Sequence, residues 1–285
     1  MVGGPVGAYI GTMPVPEKHR IDPGRLEAYL RAYVPDLAGP LSLEQFRGGQ
    51  SNPTYRVTAG DARYVLRRKP PGKLLPSAHA VDREYRVMTA LHGSEVPVPK
   101  TWCLCEDESV IGTAFYVMEY VDGRVFWDPA LPELSRSERA AVFAEMNRVI
   151  AALHRTDFSA LGLDDYGKAS GYLDRQIARW TKQYRASETE RIEPMERLIE
   201  WLPQHVPRGD ETTIVHGDYR LDNLVFHPHE ARILAVLDWE LSTLGHPLAD
   251  FAYHCMSWRI QGGTFRGMLG LDLPALGLPS ESEYV

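Results

Sequence analysis

Cysteine is scarce in this 285-residue chain, which has Cys103, Cys105 and Cys255 and no others. Cys103 and Cys105 flank a single residue, too close for ordinary disulfide geometry, and three thiols fall short of a four-ligand zinc pattern. So sparse and odd a set excludes a disulfide-stapled scaffold and suits a reducing compartment. Long apolar runs are missing too, since none approaches the roughly 20 residues that span a bilayer. The opening "MVGGPVGAYIGTMPVPEKHR" has neither the basic-then-apolar order of a secretory signal nor the Arg- and Ser-rich helix of an organelle transit peptide. The expectation is a cytoplasmic protein with no membrane partner. Basic charge is likewise in deficit. A net charge of −7 argues against general nucleic-acid binding, although a local Arg cluster can still hold an anionic ligand. With 44% hydrophobic and 24% charged residues, the chain can build a full core without disulfides or structural metal.

What is present divides the chain into three parts. Residues 1–20, rich in Gly and Pro, read as a flexible leader. In "DPGRLEAYLRAYV", Asp22 offers an N-cap, Pro23 suits the first turn, and Leu26, Tyr29, Leu30 and Val34 recur at helical spacing. "LSLEQFRGGQSNPTYRVTAGDARYVLRRKPPG" then reads as three strands around a Gly-rich turn, with Tyr55, Val57, Tyr64 and Leu66 in β alternation. A helix follows in "HAVDREYRVMTALHG", and two more strands in the stretch that ends "FYVMEYVDG". Residues 21–121 are therefore expected to form a small sheet lobe with one inserted helix. From 122 to 285 the pattern is mostly helical, in "SRSERAAVFAEMNRVIAALHRTD", "GYLDRQIARWTKQYRA" and "PMERLIEWLPQHV". The last stretch, "LGLDLPALGLPSESEYV", shows no convincing element.

One segment carries costly charge inside an apolar frame. "IVHGDYRLDNLVF" (Ile214 to Phe226) holds a His, two Asp, an Arg and an Asn between runs that read as buried. Buried charge persists when it is paired, metal-bound or used. Asp218 precedes Asn223 by five positions, and Asp238 follows Asp218 by twenty, again at the end of an apolar strand, "ILAVLD". Two carboxylates and an amide on neighbouring strand ends make an oxygen-rich cluster of the kind that holds Mg²⁺ together with phosphate oxygens. Taken singly, Asp218 and Asp238 read equally well as caps or ion pairs. Their order and spacing match the protein-kinase catalytic loop and its metal-binding Asp.

On these residues the chain resembles the aminoglycoside phosphotransferase branch of the kinase-like superfamily, whose H-G-D-x-x-x-x-N is present as His216-Gly217-Asp218…Asn223. "YVLRRKPPGKLLPSAHAVDREYRV", "RWTKQY", "HGDYRLDNLVFHP" and "VLDWELSTLGHPLADFAY" resemble a narrower group. That group includes the kinase-like N-terminal region of acyl-CoA dehydrogenase family members ten and eleven. The resemblance runs from about Ile21 to Val285. It implies a bilobal α+β kinase-like fold and an ATP- and Mg²⁺-dependent transfer of phosphate to a hydroxyl of a small molecule. Asp218 would be the base, Arg220 would hold the transferring phosphate, and Asn223 and Asp238 would be the metal ligands. Gly48, Gly49, Gln50, Ser51 and Asn52 would form the phosphate-covering turn, and Met118, Glu119 and Tyr120 the hinge at adenine. Arg67 would stand where kinases carry the strand Lys, with Glu84 as its helix partner, although Lys69 has the same strand parity. His216 and Asp250 would hold the loop rather than react.

The resemblance also implies relatives that continue past Val285 with helices completing the acceptor side, so the large lobe is expected to be incomplete here. Trp180, Lys182 and Tyr184 read either as acceptor contacts or as ordinary helix positions, and His154 as a packed helix end. His227 and His229 read as turn residues rather than metal ligands. The acceptor stays open between a hydroxyacyl-CoA, favoured by the narrower group, and an aminoglycoside or choline-type alcohol. A catalytically weak ATP-binding regulatory module and a purely structural protein are the other classes. Oligomeric state is open, a homodimer included.

Overall fold

The alternation at Tyr55–Val57 and Tyr64–Leu66 becomes the centre of an antiparallel sheet. A computed structural model describes residues 11–35, 37–48, 51–72, 79–264 and 266–285. Its main sheet has six strands: β1 (Thr12–Pro14), β2 (Leu41–Phe46), β3 (Thr54–Ala59), β4 (Ala62–Arg68), β5 (Thr101–Cys105) and β6 (Phe115–Glu119). Their spatial order is β1-β2-β3-β4-β6-β5, all antiparallel. Tyr55, Val57, Leu66, Phe115 and Val117 bury against α1 (Pro23–Tyr33), which supplies Leu26 and Leu30. Asp22 caps α1 by accepting from the Gly24 and Arg25 amides at 2.9 and 3.2 Å. Each buried Leu contributes about 1.5–3 kcal/mol. Alternate residues Val65, Tyr116 and Met118 face the other way. They join α2 (Val81–Leu91) in a larger core that continues into the helical lobe.

Beyond a one-turn α3 (Glu108–Ile111), the chain enters the second lobe through Gly123. A Cβ there would lie 2.3 Å from the Phe226 carbonyl oxygen, so only glycine allows the approach. Arg124 and Phe226 exchange backbone hydrogen bonds, both 2.8 Å, pinning the interlobe strand to the segment singled out by its charge. The lobe is built on α4 (Arg136–Arg155), started by a Ser135/Glu138 capping box, with α5 (Tyr172–Ser187) and α6 (Glu193–Trp201) following. Two ribbons then frame the charged segment. β7 (Thr213–Val215) pairs with β10 (Thr243–Gly245), and β8 (Leu224–Phe226) with β9 (Ile233–Val236), before α7 (Pro247–His254) closes behind them. This is the bilobal α+β fold expected. Among the described residues no helix is long and apolar enough to cross a membrane.

Two local expectations need correction. Within the stretch read as a leader, residues 1–10 lie outside the described residues, but Thr12–Pro14 is a sheet strand, in register with Phe46 to Glu44. The final stretch forms two single turns, α8 (Leu273–Leu276) and α9 (Glu281–Tyr284). One turn is too short to show a hydrophobic period. α9 is held by a Ser280/Glu283 capping box and by Tyr284, which is buried against Phe143, Phe251, His254 and Trp258.

Candidate active site

Asp218 sits at the mouth of a turn whose geometry is fixed from behind. Gly217 has φ +81, and a Cβ would lie 2.9 Å from the Leu241 carbonyl oxygen, so glycine is required. The His216 imidazole is wholly buried, and burial lowers its pKa. Its Nε2–H donates to the Leu237 carbonyl at 2.9 Å, while Nδ1 accepts the Asp218 amide at 3.2 Å, which defines one neutral tautomer. A single ring thereby ties the Asp218 turn to the residue before Asp238. α7 supplies the rest from one face, at i, i+3 and i+4. Asp250 accepts from the His216 and Gly217 amides at 2.9 and 2.8 Å and from His154 Nε2 at 3.0 Å. Burial opposes its charge, but the His154 bond and the adjacent His216 outweigh it, and the carboxyl sits below its usual pKa. Tyr253 donates its hydroxyl to Asp218 Oδ1 at 2.7 Å, and His254 donates from Nδ1 to the Tyr219 carbonyl at 3.2 Å.

The other Asp218 oxygen, Oδ2, accepts from Asn223 Nδ2 at 3.1 Å and is ion-paired with Arg220, whose Nη2 lies 3.0 Å away. Asn223 Nδ2 also reaches the Asp218 backbone oxygen at 2.9 Å, which commits the amide nitrogen and leaves the side-chain oxygen as the available atom. Asp222, beside Asn223, accepts from Arg266 on Oδ2 and is ion-paired with Arg220, whose buried Nε lies 3.3 Å from Oδ1 without forming a hydrogen bond. Burial pushes the Asp222 carboxyl up to about 6 despite Arg220.

Across the cleft, Arg67 is the central cation. Its Nε lies 3.0 Å from Glu84 Oε2, and its Nη2 lies 2.5 Å from Asp238 Oδ1 and 3.3 Å from Glu240 Oε2. The Lys69 ammonium is instead 3.9 Å from Asp82 and a third exposed. Arg67, not Lys69, is therefore the β4 cation that meets Glu84. Burial alone would lower the Arg67 pKa, but Glu84, Asp238 and Glu240 reverse the direction. Glu84 is fully buried, takes the Tyr116 hydroxyl at 3.1 Å and is pushed up by burial against the pull of Arg67. Asp238 has φ 65, an uncommon conformation for a residue with a Cβ. It turns the chain from β9 into the short Trp239–Leu241 turn, which brings both Asp238 and Glu240 to Arg67.

Both clusters line one interlobe cleft of about 1350 Å³. Gly48, Ser51, Arg67, Met118, Glu119, Tyr120, Asp218, Arg220, Asn223 and Asp238 all contribute to its wall. Gly49 and Gln50 lie outside the described residues. Asn52 departs from its expected place on the phosphate-covering turn. Its side chain is buried, donating to Glu84 Oε1 and Glu240 Oε2 at 3.1 and 3.2 Å and facing His79 at 3.0 Å, because the buried Glu84 and the half-buried Glu240 both draw on its amide. Trp180, Lys182 and Tyr184 are not among the cleft residues, and Trp180 is exposed. His227 and His229 lie on a turn, and among the described residues no three His, Cys, Asp or Glu are grouped to hold a metal by themselves. An Mg²⁺ ion suits the donors that remain, the Asn223 side-chain oxygen and an Asp238 carboxylate, since Mg²⁺ takes few protein oxygens and adds water and phosphate.

Four participants had not been singled out: Glu240, Asp222, Tyr253 and Arg266. Tyr253 was within reach of a spacing argument, lying one turn beyond Asp250. Glu240 was legible only as a second acid two residues past Asp238. Nothing periodic marks Asp222 or Arg266.

The profile of the "Phosphotransferase enzyme family" matches residues 42–275. Mouse acyl-CoA dehydrogenase family member 10 is 51% identical over 276 residues, which is 96% of this chain but 26% of that protein. The chain thus spans about a quarter of that relative. A crystal structure from Ralstonia eutropha, provisionally termed an aminoglycoside phosphotransferase, is 60% identical with a TM-score of 0.85, covering 93% of this chain and 78% of the other. The streptomycin–ATP–APH(2")-IIa ternary complex is 17% identical with a TM-score of 0.58, covering 87% and 78%, a likeness of fold alone.

Proposed function

Because the chain belongs to the phosphotransferase enzyme family, we propose that it moves the γ-phosphoryl group of ATP, with Mg²⁺, to a hydroxyl of a small molecule, and that this acceptor is a hydroxyacyl-CoA. The observation that carries the reading is the convergence of Asp218, Arg220, Asn223 and Asp238 on the floor of one cleft under Arg67. A volume of about 1350 Å³ exceeds the roughly 300–1,000 Å³ typical of a site for one ligand, which supports room for nucleotide and acceptor together. The neighbour that holds ATP and streptomycin at once supports the same arrangement. The 51% identity to an acyl-CoA dehydrogenase family member supports the acyl-CoA class.

In this reading the acceptor hydroxyl meets Asp218 Oδ1, which keeps a lone pair beside the Tyr253 bond. The acceptor oxygen forms a bond to Pγ as the bridging Pβ–O–Pγ bond breaks, the electron pair leaves on the β-phosphate, and the acceptor proton passes to Asp218. Asn223 and Arg220 hold Asp218 in register, and the Arg220 fork faces the transferring oxygens. Mg²⁺, when held by Asn223 and Asp238, supplies neutralisation of the phosphate charge. Gly48 and Ser51, on the wall of the cleft, would cover the phosphates, and Met118 to Tyr120 would meet adenine.

Mass-spectrometric detection of phosphate transfer from Mg·ATP tests this. The acceptor panel holds hydroxyacyl-CoAs, aminoglycosides and choline-type alcohols, with Asp218→Asn as control. Product on the hydroxyacyl-CoAs that vanishes in the variant is the expected result. Product only on another class corrects the acceptor. Saturable Mg·ATP binding with no product on any hydroxyl overturns the enzyme in favour of a regulatory module.

A further inference from the structure

The segment after α7 brings a third guanidinium into the cleft, beside Arg67 and Arg220. Gly263, Thr264, Arg266, Gly267 and Leu271 line the same wall as Asp218. The segment is anchored at its base. Gly262 N donates to Leu269 O at 2.8 Å, Leu269 N to Ile260 O at 2.9 Å, and Met268 N to Ser257 O at 2.8 Å, with the Met268 side chain sunk in the main core. Arg266 holds φ 61, uncommon for a residue with a Cβ. Its guanidinium reaches back 44 residues to Asp222, whose side chain is only 4% exposed.

Asp222 is thereby shared. Oδ2 accepts from Arg266, and Arg220 Nε lies 3.3 Å from Oδ1 as an ion pair without a hydrogen bond, while Arg220 Nη2 stays 3.0 Å from Asp218 Oδ2. A guanidinium left alone with a carboxylate tends to close on both oxygens in a two-pronged fork. With Arg266 paired to Oδ2, Asp222 already has a cation on that side and draws less on Arg220, whose Nη2 stays with Asp218. We propose that Arg266 is a positioning residue for phosphoryl transfer: by occupying one oxygen of Asp222 it keeps Arg220 extended to Asp218. This rests on the phosphotransferase reading, in which Arg220 acts at the transferring group. Removing Arg266 frees Oδ2, so the Arg220 fork closes on Asp222 and swings away from the point of transfer.

The test uses the full chain with Arg266→Ala, Arg220→Ala, the double variant and Arg266→Lys, each checked by thermal unfolding. Three quantities are read: Mg·ATP affinity, release of phosphate from Mg·ATP to water, and kcat and KM with any acceptor that gives product. Arg266→Ala is expected to lower kcat about tenfold while Mg·ATP affinity holds, and the double variant should be no slower than Arg220→Ala alone. Arg266→Lys keeps one donor on Asp222 and should retain most of the rate even if the alanine variant folds poorly. Effects that multiply in the double variant, a rise in acceptor KM with unchanged kcat, or equal losses in the lysine and alanine variants would each overturn the proposal. If the wild type binds Mg·ATP yet transfers phosphate to neither water nor acceptor, the phosphotransferase reading falls and takes this one with it. A wild type that is active and slowed by Arg220→Ala, but not by Arg266→Ala, sinks this proposal alone.

Discussion

Above the cleft one guanidinium, Arg67, meets three carboxylates, Glu84, Asp238 and Glu240; below it one carboxylate, Asp218, meets donors from Tyr253, Asn223 and Arg220. The upper cation is nearly dry, with its side chain 8% exposed, and is surrounded by more negative charge than it can neutralise. The lower anion is 14% exposed and is steadied by neutral as well as charged donors. The first arrangement leaves unspent negative charge for an incoming cation. The second leaves a reachable oxygen on a rigidly held carboxylate. The upper cluster is thus held by charges that need one another, whereas the lower is held by backbone amides, two histidines and the α7 face.

The sharpest way to break the lower side is Asp218→Asn. The amide keeps the shape and cannot take the acceptor proton, so transfer should fall about 10²–10⁴-fold with Mg·ATP binding retained. Equal activity in the variant would remove Asp218 from its proposed role. Next comes Asp250→Ala, which leaves the buried His216 and Gly217 amides without their acceptor. Unfolding in urea should show a loss of about 3 kcal/mol. The folded Asp250 pKa lies below its ordinary 3.8, so its stabilisation is present above that value and fades as the pH falls through the lower, folded value. The wild type should therefore lose stability over an acid range in which the variant is flatter. A parallel pH dependence in both proteins would mean that Asp250 does not carry it.

Much of this was legible, for reasons that differ by element. The sheet and the long helices follow from alternation and helical spacing sustained over several turns, and the Asp218–Asn223–Asp238 spacing survives because it lies at strand ends. Thr12–Pro14 and Glu281–Tyr284 escaped because three or four residues cannot display a period; pairing with β2 and the burial of Tyr284 decide them. Asn52 reads as part of the phosphate-covering turn, and the sequence does not reveal that Glu84 and Glu240 lie within reach of its amide and draw it inward. Arg266 was invisible for the same reason, since its partner is 44 residues away and no spacing rule connects them. Local rules find elements and motifs; contacts between distant carboxylates and cations come only from the packing.

Arg67→Lys sharpens the upper side. An ammonium is a single point of charge, whereas the guanidinium touches Glu84 through Nε and Asp238 and Glu240 through Nη2. The variant should bind Mg·ATP about tenfold more weakly by calorimetry, roughly 1.4 kcal/mol. Unchanged affinity would show that charge alone, not the fork, is what the three carboxylates require.

The smallest expected effect is Tyr253→Phe, and it probes how much the lower side owes to neutral donors. Burial and the bond to Asp218 push the phenol up to about 12, so near neutral pH it remains a donor to Oδ1. Removing the hydroxyl takes away one hydrogen bond to a charged acceptor, while the Asn223 hydrogen bond and the Arg220 ion pair on Oδ2 stay in place. A loss of about 1.5 kcal/mol or less, up to roughly tenfold in kcat with little change in acceptor KM, is expected, since orientation is impaired and the proton acceptor is not. A rise in kcat would mean that Tyr253 competes with the acceptor hydroxyl for Oδ1, and Asp218 would then be held from the Oδ2 side alone.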